Sequence, residues 1–321
     1  MKILKKIIIS LFCFSAFLSC LILSSCNINI PILDRLGEKK IVCTIFPAYD
    51  WSLEILQGEA GRIDVTCLTS NGADLHSYEP TVSDVMEIKS ADIFIYVGGE
   101  SDSWVEDAIK DATNPNMKVI NLLETLGESA KEEEIQEGML GESDGESDEH
   151  VWLSLKNAQV FVDVIAAALG EIDAEYKDYY LENAQTYKAK LKNLDDEFTL
   201  AASESTKNTL IFADRFPFRY LVDDYSLNYY AAFSGCSDGS DIDAAVVIFL
   251  ANKIDELGIK VILVIEGTNN TALAGRVKEC TTEKNQEILV LNSMQSVDAS
   301  KSASYLEIMQ QNLEVIKKAL A

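Results

Sequence analysis

Histidine and positive charge are both scarce in this sequence, which contains two histidines and 27 lysines and arginines against 52 aspartates and glutamates. The formal net charge is −25 at pH 7. Binding to nucleic acid depends on neutralising phosphates with lysine and arginine, so this charge excludes a nucleic-acid partner. A strongly acidic chain instead raises the local concentration of cations. No HExxH sequence is present, so a common signature of zinc hydrolases is missing.

The N-terminus has the features of a secretory signal. Three lysines in the first six residues precede an apolar run over residues 7–23, and small residues follow. The sequence LSSC at residues 23–26 resembles a bacterial lipobox, which predicts a signal peptide over 1–25 and lipid on Cys26 as the first mature residue. Acyl chains would hold the protein at the outer face of the cytoplasmic membrane. An uncleaved anchor helix is the alternative, and both place the rest of the chain outside the cytoplasm.

Four cysteines follow the lipobox, and none of them has the CxxC spacing of a metal site. In an oxidising compartment an even number of cysteines can form disulfides. Pairing Cys43 with Cys67, and Cys236 with Cys280, is the natural choice among three connectivities. Buried free thiols are the alternative.

Apolar β-branched runs alternate with amphipathic helical stretches after residue 39. In the first half, strands are predicted at 40–46, 63–68, 92–97 and 118–121, with helices between them. Such alternation predicts βαβ units and parallel sheets, and it returns after residue 207. The predicted fold is therefore α/β, with two lobes that each contain a mostly parallel sheet flanked by helices.

A long helix is predicted between the two lobes. Apolar residues recur at helical spacing over 174–205, a stretch without proline or glycine. Thirty helical residues would span about 45 Å. The predicted organisation is a tether at 26–39, an N-terminal lobe at 40–172, a linking helix at 173–206 and a C-terminal lobe at 207–321.

An acidic segment interrupts the N-terminal lobe. Residues 128–149 carry ten acids against one lysine, together with several glycines. Blocks of like charge repel one another and are usually solvated. We therefore predict a flexible, solvated loop, whose carboxylates could also gather divalent cations weakly.

Candidate metal ligands follow the predicted strands, at the ends where parallel α/β sheets bind ligands. His76 comes a short loop after a strand, and His150 follows the acidic segment. Asp214, Glu266 and Asn292 directly follow the strands TLIFA, VILVI and EILVL. Two imidazoles with two carboxylates would make a four-coordinate site that suits Zn²⁺ or, with more oxygen, Mn²⁺. Taken singly, these histidines could be hydrogen-bonded turn residues and these carboxylates helix N-caps.

Five features together resemble one family of transport proteins. They are the lipobox, the long central helix, GADLHSYEP at 72–80, DEHVWLSL at 148–155 and ADRFPFRYL at 213–221. This combination resembles the substrate-binding lipoproteins of metal-ion ABC transporters, in the zinc- and manganese-specific group with a rigid linking helix. The resemblance implies a monomeric, non-enzymatic protein that delivers its ion to a membrane permease driven by a cytoplasmic ATPase. It also implies that His76 and His150 are metal ligands and that the C-terminal lobe supplies two more.

The C-terminal half of the expected site departs from the family pattern. The family usually has its third ligand, a His or Glu, where ungapped matching places Arg215, and arginine cannot lose a proton to bind a cation. Asp214, one residue earlier, is the candidate substitute. The fourth family ligand is commonly an Asp near the end of the last strand, but NSMQ at 292–295 offers only amide or hydroxyl oxygens. Glu266 is then the charged candidate, with Asn292 as runner-up.

Zinc is the predicted cargo, because two imidazoles favour it, and manganese is the second choice, because carboxylates favour manganese. Zinc-specific relatives often carry a histidine-rich insertion, whereas residues 128–149 contain no histidine. Two other classes stay open, an extracytoplasmic metallohydrolase and an adhesive surface lipoprotein. The hydrolase would need a general base beside a metal-bound water. The long helix predicts limited tilting of the lobes, so that ion capture depends on local ordering of loops.

Overall fold

The computed structural model describes residues 39–57, 62–140, 145–235, 243–267, 271–299 and 303–321. The predicted signal peptide and lipidated Cys26 lie outside these residues, as do almost the whole of the predicted tether and Cys236. Within the described part of the chain, no helix is long and apolar enough to cross a membrane.

The N-terminal lobe contains a four-stranded parallel sheet in the order β2-β1-β3-β4. Its strands are β1 (Lys39–Cys43), β2 (Ile63–Cys67), β3 (Ile93–Tyr96) and β4 (Lys118–Asn121). The helices that connect and follow them are α1 (Phe46–Leu56), α2 (Val82–Lys89), α3 (Val105–Ile109) and α4 (Leu122–Leu126).

The C-terminal lobe repeats this arrangement, with a parallel sheet in the order β6-β5-β7-β8. Its strands are β5 (Thr209–Phe216), β6 (Asn228–Ser234), β7 (Val261–Val264) and β8 (Glu287–Val290). Its helices are α7 (Arg219–Asp224), α8 (Ala244–Leu257), α9 (Thr271–Cys280) and α10 (Tyr305–Ala319).

Two helices run between the lobes, α5 (Leu155–Ile172) and α6 (Lys177–Glu204). The 28 residues of α6 span about 42 Å at 1.5 Å per residue. One face of α6 is buried against α5, α1 and α10, and it carries Tyr180, Tyr187, Leu191, Leu194 and Phe198. The predicted α/β fold, with two parallel sheets and a long helix between them, is confirmed.

Both faces of the sheets are buried, as parallel sheets require. Successive side chains of a strand point to opposite faces. On β1, Ile41 joins the large core cluster around α1 and α5, whereas Val42 packs with Phe94 in a second cluster beneath α2 and α3. A strand such as β1, which is buried on both faces, therefore needs apolar side chains on both of its sides.

Helix α10 fastens the C-terminal lobe to the N-terminal lobe. The Tyr305 backbone N–H donates to Asp50 of α1 at 3.1 Å, and its hydroxyl donates to the Trp152 carbonyl oxygen at 2.7 Å. The Tyr305 ring also meets the edge of Trp51, with centroids 5.2 Å apart. The three aromatic side chains are buried, so the contact between lobes is part of the protein core.

The expected disulfide between Cys43 and Cys67 is wrong, because both are free thiols. They are partners in register on β1 and β2, but each sulfur faces a neighbouring hydroxyl oxygen, at 4.0 Å and 3.7 Å. Burial raises the pKa of both thiols, which keeps them protonated and weakly reactive. Cys280 is also free, and it is exposed at the end of α9. Its expected partner, Cys236, lies outside the described residues.

The described part of the acidic segment is bound to the C-terminal lobe through its backbone, so the prediction of a flexible loop is wrong for these residues, whereas the side chains of Glu132, Glu134, Glu137 and Glu146 are exposed to solvent as predicted. We call residues 130–140 and 145–149 the acidic strap. Leu140 N donates to the Ala232 carbonyl oxygen at 2.9 Å, and Ser234 N donates to the Leu140 carbonyl oxygen at 3.2 Å. The strap thereby adds a parallel bridge at the edge of β6. The edge of β6 presents backbone N–H and C=O groups that need partners, and the backbone of the strap supplies them.

Candidate metal centre

His76 lies in a short 3-10 turn, Leu75–Ser77, in the loop after β2. The Asp74 side chain caps this turn by accepting a hydrogen bond from His76 N at 3.0 Å. The His76 Nδ1 lies 2.9 Å from Ser101 Oγ and 3.7 Å from Glu149 Oε2. Partners on the Nδ1 side leave Nε2 as the nitrogen available to a ligand.

His150 is fully buried where the acidic strap meets the 3-10 turn Val151–Leu153. Its backbone N donates to Asp148 Oδ1 at 2.8 Å, and its Nδ1 lies 3.0 Å from the same oxygen. A carboxylate oxygen accepts hydrogen bonds, so Nδ1 donates to Asp148, and Nε2 is the nitrogen that faces the other imidazole. A carboxylate that fixes the tautomer in this way is typical of metal-binding histidines.

The two imidazoles face each other, with their Nε2 atoms 3.1 Å apart. Two nitrogens bound tetrahedrally to one zinc ion at 2.0–2.1 Å would lie about 3.3 Å apart, so the spacing is close to that of a zinc shell. Burial, and then the neighbouring His150, lowers the pKa of His76 far below its ordinary value. The His76 ring is therefore neutral, which is the form that binds metal ions.

Gln295 brings a third polar group to the same point. Its side-chain Nε2 lies 2.9 Å from His76 Nε2 and 2.5 Å from His150 Nε2. A 180° rotation of the amide would place Oε1, an oxygen that can bind a cation, where Nε2 now lies. Sequence reasoning missed this residue. The sequence did contain a signal for it. Gln295 lies three residues after Asn292, and its amide oxygen is one of the few possible metal ligands in a stretch that contains no carboxylate.

The structure does not bring Asp214 and Glu266 into a cluster with the histidines. In the described ranges, no group of three or more His, Cys, Asp or Glu side chains could hold a metal ion. Asp214 accepts hydrogen bonds from Ile265 N at 3.0 Å and from Arg215 N at 2.8 Å. The backbone N–H groups at the ends of β5 and β7 need partners, and this buried carboxylate supplies them.

Glu266 is bound to the loop that carries Gln295. Its oxygens accept from Ser293 N at 2.6 Å, Ser293 Oγ at 2.8 Å and Gln295 N at 3.0 Å. The runner-up, Asn292, accepts from Met294 N at 2.9 Å. Both side chains thus shape this loop, and the side chain that reaches the histidines is that of Gln295.

Arg215, which stands where the family pattern has a ligand, forms an ion pair with Asp74 at 2.8 Å. The other oxygen of Asp74 caps the turn of His76, so an arginine of the C-terminal lobe holds the loop of an N-terminal imidazole. Burial opposes ionisation of Asp74, but the hydrogen bond and charge of Arg215 lower the pKa of this carboxyl. The pair therefore stays ionised and adds no net charge.

A carboxylate lies next to each of the three residues that converge, His76, His150 and Gln295. The carboxylates are Asp148 behind His150, Glu149 near His76 and Glu266 behind Gln295. None of the three converging side chains is an acid, so negative charge that would balance a divalent cation has to come from this outer layer. The arrangement can bind a cation through nitrogen and amide oxygen, with charge supplied from a short distance.

Comparison with known proteins gives consistent results. The model of the family described as ZnuA, zinc-uptake complex component A, periplasmic, matches residues 41–319. The high-affinity zinc uptake system protein ZnuA of Bacillus subtilis is 29% identical over 291 residues, 89% of this chain and 89% of that protein. The zinc-binding lipoprotein AdcA of Streptococcus pneumoniae (strain R6) is 27% identical over 286 residues, which are 88% of this chain and 56% of AdcA, so the chain spans about half of that relative.

A solved structure shows the same architecture. The Zn(II)-bound ZnuA-like domain of Streptococcus pneumoniae AdcA superposes with a TM-score of 0.70 at 26% sequence identity. The match covers 88% of this chain and 99% of that domain. The shared fold therefore extends over both lobes and the helix between them.

Proposed function

Because this chain belongs to the ZnuA family of zinc-uptake components, we propose that it captures Zn²⁺ outside the cytoplasm and passes it on for import. The family consists of metal-binding transport components, so the proposed role involves no catalysis. One observation carries the proposal: two imidazoles face each other with Nε2 atoms 3.1 Å apart, and each has a hydrogen-bonding group on its Nδ1.

In this proposal His76 Nε2, His150 Nε2 and Gln295 Oε1 bind the ion. Glu266 positions the loop of Gln295 and supplies charge, in place of the ligand role that the sequence predicted for it. Asp214 supplies charge from the strand ends while it binds the backbone of β7. Zinc remains the first choice of ion, since imidazole suits it better than the harder Mn²⁺.

We also propose the steps that precede and follow capture. The lipobox at 23–26 supports a lipid anchor on Cys26, and the relative AdcA is named a lipoprotein. A protein held at the outer face of the membrane would release its ion to an ABC permease driven by a cytoplasmic ATPase. The relative of Bacillus subtilis is named as part of an uptake system, which supports that order.

The test is the effect of metal ions on thermal stability. The full-length protein is stripped with a chelator, and its melting temperature is measured with and without micromolar Zn²⁺ or Mn²⁺. A ligand that binds only the folded state at 100 times its Kd stabilises it by about 2.7 kcal/mol, so zinc should raise the melting temperature by several degrees. Manganese should give a smaller shift.

His76→Ala and His150→Ala should each abolish the zinc-dependent shift, because each removes one of the two nitrogen donors. The melting temperature of each variant without metal shows that it folds. A zinc shift that survives intact in His150→Ala would place the metal site elsewhere, and no shift with any divalent ion in the wild type would refute zinc capture.

A further inference from the structure

The acidic strap forms a short hairpin whose two ends lie side by side. Asp148 N donates to the Lys131 carbonyl oxygen at 2.7 Å, and Glu133 N donates to the Glu146 carbonyl oxygen at 2.9 Å. An antiparallel pair therefore closes the base of the strap. Asp148 lies at this base, and its carboxylate also contacts the backbone N and the ring Nδ1 of His150.

A single buried tyrosine of the C-terminal lobe binds both ends of this hairpin. The Tyr220 hydroxyl accepts a hydrogen bond from Lys131 N at 2.9 Å and donates one to the Asp148 carbonyl oxygen at 3.1 Å. The Lys131 side chain also forms an ion pair with Asp223 at 2.6 Å, and Asp223 lies on the same helix as Tyr220. The base of the strap is thus fixed to α7 through its backbone, independently of its acidic side chains.

The far end of the strap is fixed to the same lobe by a different contact. Leu140 extends the edge of β6, as described above. Gly138, two residues earlier, has a φ of +84°, and a Cβ atom there would lie 2.3 Å from the Phe249 ring of α8. Only glycine allows this backbone conformation and this close approach. Two separate contacts therefore hold the strap on the C-terminal lobe.

We propose that Tyr220 is a positioning residue for the metal centre, which acts through the strap on His150. Its hydroxyl fixes the backbone of Asp148, and the Asp148 carboxylate fixes the orientation and tautomer of His150. Docking of the strap and binding of the ion are then coupled, so whatever loosens the strap weakens the site, and the bound ion tightens the strap. This inference rests on the proposed function, since it takes zinc as the ion.

The direct test is Tyr220→Phe, which removes both hydrogen bonds and keeps the buried ring. The zinc Kd of the full-length protein is measured by competition with a chromophoric chelator. Loss of a group that orients a ligand weakens metal binding by about 10-fold or more. Tyr225→Phe is the matched control, because the buried Tyr225 donates its hydroxyl hydrogen bond to Asp195, 3.1 Å away, and should bind zinc like the wild type.

Gly138→Ala gives an independent route to the same result, through the contact of the strap with Phe249. It should raise the zinc Kd by about threefold or more, since it loosens the strap without touching Tyr220 or the imidazoles. Hydrogen exchange at the Lys131 and Asp148 amides provides a second readout. Zinc should slow exchange there in the wild type and in Tyr225→Phe, and do so less in Tyr220→Phe.

The outcomes separate this inference from the proposed function. If the wild type binds zinc and both Tyr220→Phe and Gly138→Ala bind it equally well, zinc capture stands and the positioning role of Tyr220 is refuted. Equal weakening in Tyr220→Phe and Tyr225→Phe would also refute it, because a general loss of packing would explain both. If the wild type binds no zinc, the proposed function fails and this inference fails with it.

Discussion

At the scale of single residues, the groups that converge at the candidate metal centre include no carboxylate; they are two imidazole nitrogens and one amide. Their negative partners, Asp148, Glu149 and Glu266, lie one step further out. A dication binds less tightly to neutral donors than to a carboxylate in the first layer, because Coulomb energy falls with distance. A carrier has to release its ion, and this arrangement favours release.

Gln295→Glu should strengthen zinc binding by about 10-fold or more. The change places a carboxylate oxygen where the amide now lies, 2.9 Å from His76 Nε2, and hydrogen bonds and ion contacts of charged groups are the stronger ones. The zinc Kd, measured by chelator competition, checks it.

Two further amide variants serve as controls for that prediction. Gln295→Ala should weaken binding, whereas Asn292→Ala should keep most of it, because the Asn292 amide oxygen faces the Met294 backbone. Equal losses in both would mean that the loop as a whole matters and that Gln295 has no special role.

At the scale of elements, three helices meet around one half-buried acid. Asp50 of α1 accepts from Tyr305 N at the start of α10, and Tyr187 of α6 lies beside it. Burial, with the nearby charges of Glu54 and Glu307, raises the pKa of Asp50 to about 7, although the hydrogen bonds oppose the shift. This junction is therefore most stable when Asp50 is protonated.

The raised pKa of Asp50 predicts a specific pH dependence of stability. Below about pH 4 the acid is protonated in both the folded and the unfolded chain. As the pH rises towards 7 the unfolded chain ionises first, so the free energy of unfolding falls through this window. Asp50→Asn should remove this loss and be more stable than the wild type at pH 8, by on the order of 1–3 kcal/mol.

Urea unfolding at pH 5 and pH 8 measures the effect. The exposed Asp107→Asn is the control, since it removes one surface carboxylate without touching the helix junction. A difference between Asp50→Asn and the wild type that is the same at both pH values would contradict the assignment.

At the scale of the whole molecule, the lobes are joined by contacts that are buried or half-buried. Arg215 pairs with Asp74 across the lobes, and the Trp152 indole N–H donates to the Ser293 carbonyl oxygen at 2.8 Å. Helix α10 adds the contacts of Tyr305. A wide hinge motion would have to break these contacts, each within the core or the site.

Zinc binding should therefore move the lobes very little. Spin labels on the exposed Cys280 of α9 and on Lys110→Cys, in a Cys236→Ser background, report the distance between the lobes. Double electron–electron resonance should show a change in mean distance of less than about 2 Å when zinc binds, as in other pre-organised sites. A shift of 5 Å or more would mean that the lobes close on the ion as rigid bodies.

The sequence by itself determined the α/β architecture and the long helix, and it singled out the two histidines that the fold brings together, because the patterns that indicate them are local. Alternating apolar runs and the buried stripe on α6 can be read from neighbouring residues, and both histidines lie within segments that match a family. Arg215 could likewise be identified as a departure from the pattern.

Only the tertiary structure decided which groups converge at the candidate centre, because this depends on residues far apart in the chain. Asp214 and Glu266 stand at the expected strand ends, but backbone N–H groups of neighbouring strands and loops take their oxygens, and Gln295 reaches the imidazoles instead. The acidic strap was misjudged for the same reason. Its charge indicates solvation, while the free edge of β6 and the Tyr220 hydroxyl, which bind its backbone, lie some 90 residues further along the chain.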